Sequence, residues 1–196
     1  MTKQPKISWS RIKAEIKHWD AARLTGLVQD LFDHSAENRN FLVARLLRDA
    51  IGPQVLAPYL KRIQAAYYGK NGEMARRLNH KDARSAIREY QRATADLAGT
   101  LELLLVHVEV GTKFTCEYGD IDCPFYDSLC SSLHEARKLL LSEAGQPLYP
   151  RVKDRLSALS RQVYGKVGWG YGDFVNEVAV ELRRKLGKPI TPNDQA

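Results

Sequence analysis

Apolar residues recur every three or four positions along nearly all of this 196-residue chain, and nowhere do they alternate with polar ones for long enough to pair as a strand. A period near 3.6 gathers such residues on one side of a helix, whereas a half-buried strand needs a period of two. Leu24, Leu27, Val28, Leu31 and Phe32 have the spacing of a buried helical stripe. Phe41, Leu42, Ala44 and Leu46 begin another after Ser35, a side chain suited to capping a helix.

Turn residues cut the pattern into about eight or nine helices. A first helix is expected from Ser10 to Trp19. Gly52–Pro53 ends the third, and Pro58 inside the fourth (Gln54 to Tyr68) predicts a kink or a late start. Gly69, Asn71 and Gly72 mark a loop. Asp82 is expected to cap a fifth helix reaching Ala95, and Gly99 to separate it from a sixth, Thr100 to Cys116. Pro124 opens a seventh, with Asp120 or Asp122 as its cap. Two more run from Val152 to Tyr164 and from Phe174 to Leu186. No internal repeat is present. The expected fold class is therefore all-α: a single-domain helical bundle or short irregular α-solenoid over residues 1–186, with a flexible C-terminal tail over 187–196.

The +7 net charge is distributed unevenly. Residues 61–92 carry nine basic and three acidic side chains, residues 93–150 three and nine, and residues 151–196 nine and five. An acidic middle between basic flanks suits either internal pairing or display on separate faces. No apolar run approaches the roughly 20 residues of a membrane span, and none follows the early lysines, so no secretory signal or membrane partner is expected. Three cysteines without an export signal suit reduced thiols in the cytoplasm.

The segment from Gly111 to Leu133 concentrates chemistry. It holds Glu117, Asp120, Asp122 and Asp127 together with Cys116, Cys123 and Cys130. Cys130 and His134 lie four apart and would share a helical face, so Glu117, Asp120, Asp122, Cys130 and His134 form a candidate metal set. Core packing for the cysteines and helix capping for the aspartates are the plainer alternatives. Gly168, Gly170 and Gly172 imitate a phosphate-cradling loop, but no strand precedes them and Asp173 occupies the anion's place. These glycines are expected to turn the chain and seat Trp169 and Tyr171.

Lys81, Arg84, Arg88 and Arg92, with Arg76 and Arg77 before them, form a basic stripe that could contact phosphates of nucleic acid or simply face solvent. Arg183, Arg184 and Lys185 could add to it. No catalytic signature is present, the five histidines show no constellation in sequence, and no cofactor is called for.

Four blocks carry a resemblance: LTGLVQDLFDHSAENRNFLVARLL (Leu24–Leu47), AIREYQRATADLAGTLELLLVHVEVGTKF (Ala86–Phe114), EYGDIDCPFYDSL (Glu117–Leu129) and GWGYGDFVNEV (Gly168–Val178). In these the chain resembles an uncharacterised family of bacterial all-helical proteins, a domain of unknown function. The resemblance implies a helical bacterial cytosolic protein and gives no residue a role. The leading expectation is a non-enzymatic helical interaction or scaffold protein that binds another protein or itself. Nucleic-acid binding through the stripe is the alternative. A metal-dependent hydrolytic enzyme centred on Glu117, Asp120 and Asp122 comes third.

Overall fold

The computed structural model describes residues 8–163, 165, 167, 168 and 170–187. Among these, nine α-helices and two short 3₁₀ turns account for the architecture, and the fold is all-α as expected. The helices are α1 Trp9–Ile16, α2 Ala21–His34, α3 Ala36–Ile51, α4 Ala57–Ala65, α5 His80–Thr94, α6 Leu97–Tyr118, α7 Cys123–Leu141, α8 Tyr149–Val163 and α9 Tyr171–Leu186.

Helix α6 is the axis of the core. It is apolar on most of its circumference, burying Leu101, Leu103, Leu104, Leu105, Val108 and Phe114, and such a helix is stable only when surrounded. Helices α4, α5, α7 and α8 pack around it, and α9 closes the far side against α7 and α8. Gly111 sets the closeness of α6 to α7: a Cβ there would lie 2.4 Å from a methyl of Leu129.

Local chemistry fixes the ends. Ser35 caps α3 and Asp122 caps α7, accepting from the N–H groups of Asn38 and Phe125. Pro58 produces a late start: residues Gly52–Leu56 form a 3₁₀ turn, and Pro58 then falls in the first turn of α4, where a missing N–H costs nothing. Two expectations are corrected. Asn79, not Asp82, caps α5, because its side chain reaches the N–H of Asp82. Gly99 does not separate two helices, since Asp96 caps α6 from Leu97 and Gly99 lies in its first turn against Tyr90. Gly170, at φ +69°, starts α9, while Trp169 and the tail from 188 lie outside the described residues.

The segregated charges meet largely inside the chain. Arg155 places Nε and Nη2 on the two oxygens of Glu109 at 2.8 Å and Nη1 on Glu102 at 2.6 Å. Arg84 pairs with Glu135, Arg137 with Glu181, and Arg62 bridges Asp82 and Glu89. Both basic flanks are thus tied to the acidic middle.

Candidate functional site

The N-terminal helices depart from this enclosed core. Helix α3 lies on α5, but it buries only Ala44, and α2 lies on α3. No residue of α1 or α2 is buried. The stripe of α2 that periodicity marks for burial is therefore corrected: Leu24, Val28 and Leu31 are exposed, as are Trp9 and Ile12 of α1 and, at 69% exposure, Leu46 of α3. Each helix is amphipathic, so its apolar side is a surface made to be covered. Between α2 and α3 lies a groove of about 350 Å³ floored by Val28, Phe32, Leu42, Val43, Leu46 and Leu47. The groove and the exposed side chains beside it leave part of the apolar side of α2 and α3 without cover among the described residues.

A buried polar chain crosses the core below. His107 of α6 is fully buried, with Nε2 2.6 Å from the hydroxyl of Tyr67 and Nδ1 2.6 Å from that of Ser132. Both partners are hydroxyls that donate or accept, so the neutral ring is satisfied in either tautomer. Burial, reinforced by the nearby Arg84 cation, pushes the imidazole down to about 3. Burial likewise raises the Tyr67 phenol above its ordinary value. Arg84 completes the chain, donating to Ser132 at 2.9 Å and to Glu135 at 2.5 Å. A neutral ring locked between two hydroxyls has no open side for a substrate, so this network specifies packing.

The structure splits the basic stripe. Arg84 is turned inward and largely covered. Arg76, Arg77, Lys81, Arg88 and Arg92 are exposed and have no carboxylate within ion-pairing distance among the described residues. Arg77 and Lys81 flank the start of α5, and Arg88 lies two turns on. Arg92 is set apart toward α3, where its carbonyl accepts from Arg45. In the last turn of α9, Arg183, Arg184 and Lys185 complement the helix dipole.

The five candidate metal ligands are not brought together. Glu117 accepts from the Tyr68 hydroxyl at 2.7 Å. Asp120 accepts from Tyr126, which also meets Thr115, and its carboxylate packs against Gly168. Asp122 is occupied as the cap of α7. Cys130 is half-buried, its thiol pushed up to about 11 mainly by burial, which opposes the thiolate a metal needs. His134 is half-buried on the same helix. Among the described residues no three His, Cys, Asp or Glu side chains converge as metal ligands. Nor is any described helix long and apolar enough to cross a membrane.

No family model, characterised protein or solved structure matches this chain, so the resemblance carried by its four sequence blocks stays an expectation.

Proposed function

We propose that this chain is a helical interaction protein that associates with a second copy of itself through the apolar side of α2 and α3. The observation that carries the reading is that no residue of α2 is fully buried, although it packs on α3, while Leu24, Leu27 and Leu31 stand in line along it with Leu24 and Leu31 exposed. A second copy is favoured over a foreign partner by the charges around that line. Residues 8–51 carry seven basic and six acidic side chains, a balance that attracts no strongly charged partner. At about 100° per residue, Arg23 and Asp30 fall on the same flank of the leucine stripe, Arg23 near its N-terminal end and Asp30 near its C-terminal end. A two-fold axis perpendicular to α2 pairs the helices antiparallel and sets Arg23 of each copy beside Asp30 of the other, which a parallel pairing does not. The nucleic-acid reading has less support, because Arg84, at the centre of the stripe, is spent on Glu135.

Charge reversal tests this arrangement. Arg23→Glu is expected to weaken self-association by about twofold to tenfold, the range for exposed ion pairs, and adding Asp30→Arg in the same chain to restore it. Additive weakening in the double variant, measured by sedimentation equilibrium, would rule out the antiparallel pairing.

A further inference from the structure

Helix α1 stands apart from the leucine line of α2. No other described helix packs extensively along it, and none of its residues is buried. A helix of eight residues is marginal in water by itself, so its apolar side gains from any surface that covers it. At about 100° per residue, Trp9, Ile12 and Ile16 fall within about 60° of one another. Trp9 is 66% exposed and Ile12 44%, while Ile16 is partly covered. Trp19 follows just after the helix, beneath the guanidinium of Arg23 at 4.3 Å.

The charge beside this stripe points to the kind of surface that covers it. The near balance of residues 8–51 hides a split: residues 8–19 carry three basic side chains and one acidic, and residues 20–51 carry four and five. Lys3 and Lys6 extend the basic run before the helix. Lys13 and Lys17 border the stripe on one side, and both are exposed. Their aliphatic stems can lie along an apolar surface while the ammonium groups stay in water. Glu15 borders the stripe on the other side and opposes an anionic surface, but Arg11, four residues before it, offsets that charge. Tryptophan with isoleucines, flanked by lysines, is the composition of a helix seated between lipid headgroups and acyl chains. Pairing with α1 of a second copy would instead bring like charges together. The eight residues rise only about 12 Å, against about 30 Å of hydrocarbon, so such a helix lies along a bilayer and does not cross it.

We infer that α1 docks on an anionic lipid surface, with Trp9 and Ile12 entering the headgroup boundary and Lys13 and Lys17 meeting acidic headgroups. The apolar side chains supply the insertion, and the lysines supply the preference for negative charge. This contact uses none of the exposed leucines of α2 and requires no second copy.

The test is co-sedimentation of the whole protein with large vesicles of phosphatidylcholine, alone or with one part in three of phosphatidylserine, at low and high salt. The protein is expected to sediment with the acidic vesicles at low salt, to be released as salt is raised, and to leave the neutral vesicles unbound. Each cation near an acidic leaflet strengthens binding about fivefold, so Lys13→Gln with Lys17→Gln is expected to weaken it about 25-fold. Trp9→Ser with Ile12→Ser is expected to abolish it. Both variants are expected to keep the wild-type melting temperature in solution, since all four side chains are exposed. No sedimentation with acidic vesicles, equal sedimentation with neutral ones, or binding indifferent to Trp9 and Ile12 overturns the inference. Loss of self-association in the Trp9, Ile12 variant would seat the stripe on a second copy and overturns it as well.

Discussion

The phenolic oxygen of Tyr67 lies 2.6 Å from Nε2 of His107, at a depth where neither ring meets solvent. Four further aromatic rings extend from this pair, with Phe114 and Phe125 against Tyr67, and Tyr126 and Tyr171 beyond. The core is thus organised around a neutral histidine, and that has a consequence for its response to acid.

Below pH 6.5 the unfolded chain takes up a proton at His107 that the folded chain refuses until about pH 3. The unfolded state then binds more protons, so this contribution is complete above pH 6.5 and declines as pH falls toward 3, with a slope approaching about 1.4 kcal/mol per pH unit. Glu181, held down to about 2 by Arg137 and Lys185, acts in a lower window, between its ordinary 4.5 and 2. Urea unfolding of the wild type is expected to weaken already between about pH 6.5 and pH 5, and His107→Gln to flatten that upper window. A wild-type stability that is level across it contradicts the buried neutral ring.

Gly111 has no room for a side chain against Leu129. Alanine gains about 1 kcal/mol of helix propensity over glycine, but overpacking costs about 1–3 kcal/mol, so Gly111→Ala is expected to be destabilising on balance. The clash lies in the branched end of Leu129, whose two methyls stand 2.4 and 2.9 Å from the added Cβ, and Leu129→Ala removes it. Combining the two is therefore expected to cost less than the sum of the single changes in denaturant unfolding.

Arg155 joins α8 to α6 through Glu109 and Glu102, but all three side chains are partly open to solvent. Arg155→Met is accordingly expected to cost only about 1 kcal/mol, with the difference from wild type shrinking as salt is raised. A loss several times larger, insensitive to salt, would mean that the aliphatic stem rather than the charge does the work.

Much of this fold is legible in the sequence because its signals are local. Ser35 and Asp122 cap the helices that follow them, and Pro58 defers α4 by one short turn. Asp82 misleads because an acidic residue suits the first turn of a helix as well as its cap. The stripe of α2 misleads for a different reason: periodicity tells which side of a helix is apolar, not whether anything in the same chain covers it. Long-range partners leave no local trace at all. Tyr67 and Ser132 stand 40 and 25 positions from His107 and on different elements. The one available hint was a histidine set within the apolar run of α6, between Val106 and Val108. The same distance hides the turning of Arg84 toward Glu135, 51 positions on, which changes the meaning of the basic stripe.

The central claim is that the uncovered side of α2 and α3 is where a second copy sits. The most direct measurement is light scattering behind a sizing column over a range of protein concentrations and salt, for the wild type and for Leu24→Asp with Leu31→Asp. These two residues are already exposed, so the variant is expected to keep its helical circular dichroism and melting temperature as a monomer. The account predicts a wild-type mass of twice the 22.2 kDa chain, persisting at high salt because the contact is mainly apolar, and a single-chain mass for the variant. A wild type that stays monomeric at every concentration, or a dimer indifferent to both aspartates, would contradict it.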